Sequence, residues 1–162
     1  MMKIRLFSTG GTIAKRYDEI SGDLVFDDEH IEKILSQGRS MLPIEITQLM
    51  LKDSLELDSG DRDIITDACL KSSQSKVLIT HGTDTMIKTA KMLSTISDKT
   101  IVFTGAMIPY AFKNSDAVFN LAFSIASVQT LPYGVYICMN GQIFTWDNVQ
   151  KNKEEGIFEK LF

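Results

Sequence analysis

The sequence predicts a three-layer α/β domain with a doubly wound, mostly parallel sheet. Short apolar runs alternate with helical patterns along most of the 162 residues, the order expected of strand–helix–strand units with right-handed crossovers. Two of those runs end in glycine- and threonine-containing loops, Thr9-Gly10-Gly11-Thr12-Ile13-Ala14 and His81-Gly82-Thr83-Asp84-Thr85-Met86. In such sheets, the loops at the carboxyl ends of the strands gather around one crevice, where ligands bind.

The runs place strands at Lys3–Ser8, Ile44–Leu51, Lys76–His81, Thr100–Gly105 and Gly134–Met139. Helical patterns occupy Asp28–Gln37, Asp61–Ser72, Thr85–Ile96 and Asp116–Val128, each close to the usual helix length. Asp27 or Asp28 is the expected cap of the first helix, Ser59 of the second and Ser115 of the fourth. In the fourth helix, Val118, Phe119, Leu121, Ala122, Ile125 and Ala126 form a stripe suited to packing on a sheet. Between the first loop and the first helix, Ser21-Gly22-Asp23 marks a hairpin turn in the Tyr17–Phe26 segment, which is placed to fold over the first loop as a flap.

A chain of this length reads as one domain, 1–162, burying about two-thirds of its unfolded surface. Hydrophobic residues make up 44% and charged residues 23%, an ordinary globular balance. The net charge of −4 argues against nucleic acid or an anionic membrane as the main partner. No apolar run approaches the roughly 20 residues of a membrane span, and the apolar part of the start is too short for a secretory signal. Cys69 and Cys138 make no disulfide framework, which fits a cytoplasmic setting. With His30 and His81 the only histidines and no Cys/His cluster, no zinc site is expected.

Gly10-Gly11 lets the backbone turn sharply and approach a ligand, or simply makes a tight turn. The spacing matches neither a dinucleotide fingerprint nor a phosphate loop. Thr83-Asp84 is more informative. A threonine hydroxyl is a poor nucleophile unless a base or a nearby positive charge activates it. Asp84 can orient a lysine for that purpose, and it can also cap the helix that begins at Thr85. Asp53-Ser54 follows the second strand and reaches the same edge, with a plain turn as the alternative. Gly105-Ala106-Met107 follows the fourth strand, where a backbone N–H can bind a developing oxyanion. Lys151 and Lys153 lie in a polar tail whose default reading is solvated charge. His81 reads as a satisfied strand-end histidine rather than a general base. The eight methionines read as core.

Together the two threonine loops resemble the bacterial-type L-asparaginase family. The similarity continues through Thr104-Gly105-Ala106-Met107-Ile108-Pro109, Ser115-Asp116 with Asn120-Leu121, and Gly134-Val135 with Met139-Asn140. The resemblance implies hydrolysis of L-asparagine to L-aspartate and ammonia without metal or organic cofactor. Thr12 would be the nucleophile and Thr83, Asp84 and Lys151 a second catalytic triad, with Lys153 the fallback lysine. Tyr17 would be the flap tyrosine that supports Thr12. Gly11, Asp53 and Ser54 would hold substrate together with Thr83 and Asp84, and N–H groups near Ala106 would complete the oxyanion site. A homo-oligomer is also implied.

Two departures stand out. Usual members run to about twice this length, with a second domain that supplies a carboxylate to the first triad, so the chain resembles a shorter, single-domain form. Leu55 also replaces a polar substrate-binding residue, and losing such a hydrogen bond weakens binding by roughly 0.5–1.5 kcal/mol. The alternatives are an amidase for another amide and a non-catalytic amino-acid-binding module of the same fold.

Overall fold

The computed structural model describes residues 2–162. The elements run β1 (Ile4–Gly10), a 3₁₀ turn (Thr12–Ala14), β2 (Lys15–Tyr17), β3 (Leu24–Phe26), α1 (His30–Gln37) and β4 (Ile44–Lys52). A second 3₁₀ turn (Ser54–Glu56) precedes α2 (Ser59–Lys71), β5 (Lys76–Thr80), α3 (Met86–Leu93), β6 (Thr100–Thr104) and α4 (Ala117–Thr130). The chain continues through β7 (Gly134–Met139), β8 (Gln142–Thr145), β9 (Gln150–Asn152) and β10 (Ile157–Glu159).

Six strands form one sheet in the order β4-β1-β5-β6-β7-β8, parallel except for β8. The chain moves outward from β1 to β4, then crosses back to β5 on the other side of β1. That reversal opens the crevice between β1 and β5, where the two threonine loops emerge.

Alternation along the strands divides the core into two layers, as a period of two residues requires. Leu6, Leu78, Val102 and Cys138 face α1 and α4, meeting Ile31, Ile34, Ala117, Leu121 and Val128. Val77, Ile79, Ile101, Phe103 and Ile137 face α2 and α3, meeting Ile65, Cys69, Met86, Ala90 and Leu93. Strands buried on both faces read as continuous apolar runs, which is why the inner strands β5 and β6 were legible.

Several boundaries differ from expectation. The second helix is capped by Asp58, one residue before Ser59. Its side chain accepts from the Asp61 N–H at 2.8 Å, and Asp61 returns the bond to the Asp58 N–H at 3.1 Å. Neither Asp27 nor Asp28 caps the first helix, whose N-cap is Glu29. Asp27 instead accepts the Glu29 N–H at 2.8 Å, just before the helix starts. At the fourth helix, Ser115 Oγ accepts the Ala117 N–H at 3.0 Å, but Asp116 is the N-cap residue.

The expected Ser21-Gly22-Asp23 turn is present, with Gly22 at φ +77° between the paired strands β2 and β3. Two hairpins were unexpected. Asn140 and Gly141, at φ +55° and +70°, turn the chain from β7 into β8, an Asn-Gly turn of the kind that suits the twist of paired strands. The polar tail forms the β9–β10 hairpin.

Candidate active site

Glycines let three strand-end loops interlock at backbone distance. A side chain at Gly11, which sits at φ +76°, would lie 2.5 Å from Gly82 Cα. One at Gly82 would lie 2.6 Å from Ser54 Cβ and 2.7 Å from its Oγ. The loops carrying Thr12 and Thr83 therefore touch backbone to backbone, and the Thr83 loop sits directly against the Ser54 side chain, which only glycine permits. Thr85 fastens the last two: its Oγ1 donates to Ser54 O at 2.7 Å, and its N–H donates to Ser54 Oγ at 3.3 Å.

The tail hairpin delivers Lys151 to this junction. Its Nζ donates to Thr83 Oγ1 at 2.8 Å and to Asp84 Oδ1 at 2.7 Å. The lysine side chain is only 12% exposed, so the solvated-charge reading of Lys151 is corrected. The capping reading of Asp84 is corrected too. Helix α3 starts at Met86 with Thr85 as an N-cap whose side chain makes no capping bond, and the Asp84 carboxylate pairs with Lys151. Charge-assisted contacts of this kind are stronger than neutral ones. Lys153 makes no hydrogen bond or ion pair among the described residues.

Asp53 lies on the same edge. Its Oδ2 pairs with Lys15 Nζ at 2.8 Å, and its Oδ1 accepts the Leu55 N–H at 3.1 Å. The Lys15 ammonium, helped by that N–H, holds the Asp53 carboxyl below the usual carboxylate range against the opposing effect of burial. Lys15 begins the flap strand β2, and its N–H closes the 3₁₀ turn on Thr12 O. The ion pair thus ties the flap to the β4 loop. Sequence reasoning missed Lys15, since nothing near it in sequence indicates a partner 38 residues away.

Thr12 sits half-buried between Gly11 and the buried Ile13 and Ala14. Its hydroxyl makes no hydrogen bond to any described residue. The structure does not bring Tyr17 to it. Tyr17 is 57% exposed, and a Cβ added at Gly22, in its own hairpin turn, would lie 4.0 Å from its hydroxyl. The oxyanion expectation narrows as well. Asp116 takes the Met107 N–H with both oxygens and the Ile108 N–H with Oδ1, all at 3.0 Å, whereas the N–H of the buried Ala106 has no acceptor among the described residues.

Behind Thr83, His81 is buried and satisfied, as its sequence reading expected. Nδ1 lies 2.8 Å from Gly82 O and Nε2 2.8 Å from Thr89 Oγ1, and the ring meets Phe103 edge-on. Burial pushes its pKa down to about 4 against the Gly82 hydrogen bond, with the Arg62 charge adding to the fall. Arg62 itself was missed, because an arginine between two aspartates on a helix reads as solvated; it is 2% exposed. Among the described residues, no group of three His, Cys, Asp or Glu could hold a metal ion. No helix of the described residues is long and apolar enough to cross a membrane.

The chain matches a known family. Residues 3–157 match the family model described as Asparaginase, N-terminal. The chain belongs to the asparaginase family. It is 28% identical to an L-asparaginase of Thermococcus kodakarensis over 162 aligned positions, covering 96% of this chain and 49% of that protein. The solved structure of the thermostable L-asparaginase from that organism superposes with a TM-score of 0.86 at 27% identity, over 98% of this chain and 51% of that one. A probable cytoplasmic L-asparaginase from Campylobacter jejuni gives 0.81 at 28% identity, over 99% and 52%. One subunit of the glutamyl-tRNA(Gln) amidotransferase from Methanococcus vannielii is 29% identical over 97% of this chain and 38% of its own length. The chain therefore spans about half the length, or less, of the relatives it matches.

Proposed function

We propose that the chain, acting as one asparaginase N-terminal-type domain over 1–162, hydrolyses the side-chain amide of L-asparagine to L-aspartate and ammonia. The observation that carries this reading is the union of Lys151, Thr83 and Asp84 beside Thr12 at the crevice between β1 and β5.

The two threonines divide the work. Thr83 Oγ1 accepts from the Lys151 ammonium, so its own proton is free to point into the crevice. It serves as a donor that polarises the amide and orients water. Thr12 Oγ1 has no partner among the described residues and acts as the nucleophile. Its oxygen bonds to the amide carbon, the carbon–nitrogen bond breaks, and the hydroxyl proton leaves with the nitrogen as ammonia. The β-aspartyl ester so formed is cleaved by water, which restores the Thr12 hydroxyl and gives aspartate. The Ala106 N–H is one backbone donor for the oxyanion. Asp53, Ser54, Gly11 and Asp84 form the floor for the substrate's α-amino and α-carboxylate groups, and Tyr17 joins when the flap moves over bound substrate. No metal or organic cofactor enters any of these steps.

The protein works in the cytoplasm as a homo-oligomer on a small-molecule substrate, without nucleic acid or membrane. Buried free thiols at Cys69 and Cys138 support the compartment, and Phe119, 61% exposed on an outward apolar part of α4, supports self-association. The likeness to an amidotransferase subunit favours a second reading, in which the amide hydrolysed is glutamine and the ammonia serves a partner enzyme.

Ammonia release from L-asparagine, L-glutamine and N-acetyl-asparagine separates these readings. Turnover of free asparagine above the other two, lost in Thr12→Ala, is the expected result. A preference for glutamine would select the second reading, and a preference for the capped amide would reject both.

A further inference from the structure

Arg62 is a buried cation without a carboxylate partner among the described residues. All its bonds are to neutral oxygens. Nη1 donates to Leu57 O at 2.6 Å and Asp58 O at 3.1 Å, Nη2 to Thr85 Oγ1 at 3.0 Å, and Nε to Thr89 Oγ1 at 3.2 Å. A buried charge of this kind is costly unless its surroundings answer it. Here the answer is a line of hydrogen bonds leading to the second threonine loop.

We propose that Arg62, Thr89 and His81 form a directed donor relay that polarises the Gly82–Thr83 peptide and so strengthens the Thr83 N–H as a donor to negative charge in the crevice. The direction follows from the acceptors. Gly82 O can only accept, so His81 Nδ1, 2.8 Å away, carries the proton. The ring is neutral at neutral pH because burial and the Arg62 charge both oppose the imidazolium. Nε2 is therefore bare and accepts from Thr89 Oγ1 at 2.8 Å, a shorter partner than the competing Thr85 O at 3.4 Å. The Thr89 oxygen in turn accepts from Arg62 Nε. Every donor thus points the same way, from the guanidinium to the Gly82 carbonyl, and aligned bonds reinforce one another.

Drawing electron density onto Gly82 O increases the amide's C=N character and leaves the Thr83 N–H more positive. That N–H has no acceptor among the described residues, and its residue carries the hydroxyl held by Lys151. Arg62, Thr89 and His81 are positioning residues, since none reaches the reacting atoms. Their effect on catalysis rests on the amidohydrolase reading above, whereas the relay does not.

The test begins with the unmodified protein. Long-range ¹H–¹⁵N spectra of the His81 ring at pH 7 are expected to show the Nδ1–H tautomer; an Nε2–H tautomer or an imidazolium would overturn the proposal. Thr89→Val removes the hydroxyl at nearly constant volume. The Thr83 amide proton is expected to move upfield in that variant and to return in Thr89→Ser; a resonance unmoved by Thr89→Val would also overturn it. With asparagine as substrate, Thr89→Val is expected to lower kcat about fivefold at unchanged KM, part of what losing a whole oxyanion donor costs. Unchanged kcat would remove the catalytic role. If the unmodified protein released no ammonia from either amino acid, the amidohydrolase reading would fail, and the tautomer and amide shift would still decide the relay.

Discussion

Thr12 and Thr83 emerge from adjacent strands, and the glycines before them bring their loops into backbone contact. Their surroundings nevertheless differ in kind. Thr83 is 6% exposed, bonded by Lys151 and backed by the Arg62–Thr89–His81 line. Thr12 is half-buried, its hydroxyl unpartnered among the described residues, and the hairpin that follows it is tied down through Lys15 while Tyr17 faces outward. One half of the crevice is assembled from this chain's own side chains; the other offers a hydroxyl and waits for substrate. A preorganised donor beside a free nucleophile is what attack on an amide carbonyl requires.

The sharpest way to break that comparison is to exchange the roles. Thr12→Ala should lower turnover at least about a thousandfold, roughly 4 kcal/mol, with circular dichroism and melting temperature unchanged. Persistent activity would move the nucleophile to Thr83.

Next comes acid. His81 stays neutral in the folded protein down to about pH 4, while the unfolded chain takes up that proton near 6.5. Between those values the unfolded state binds more protons, so stability should fall as pH drops, by on the order of 3 kcal/mol. His30, also held below its ordinary value by burial, adds in the same direction. Urea unfolding at pH 7 and pH 4.5 should show this loss, and His81→Asn should reduce it. A loss of equal size in that variant would show that the Thr83 side is not supported as described.

Lys151→Met should cost about a hundredfold in kcat, about 2.7 kcal/mol, while Lys153→Met should leave activity nearly unchanged. The reverse result would transfer the role to Lys153. The smallest effect belongs to the flap. Lys15→Ala should raise KM severalfold and lower stability by about 0.5–1 kcal/mol, with both changes shrinking in high salt. Salt-insensitive changes would separate the flap from the Lys15–Asp53 pair.

The same contrast runs through what the sequence made legible. The inner strands β5 and β6 were readable because buried strands are apolar nearly throughout, and both threonine loops because glycines mark close approaches. The Ser21-Gly22-Asp23 turn was readable from its local chemistry. Long-range polar contacts were not. Lys151 reaches Thr83 across 68 residues on a three-residue strand with no apolar pattern, and only family resemblance had suggested it. Arg62 lies between Asp61 and Asp63, where periodicity cannot tell a solvated arginine from a buried one. Asp58 and Ser59 are both good caps, and the reciprocal bond with Asp61 decided between them. Asp116 looked like part of a helix start, yet its carboxylate takes the N–H groups of Met107 and Ile108.

The central claim is that Thr12 is the nucleophile and Thr83 the donor. Mass spectrometry of protein acid-quenched during turnover of asparagine, followed by peptide mapping, tests this most directly. An aspartyl adduct on the peptide containing Thr12 is the predicted result. An adduct on the peptide containing Thr83 would contradict it.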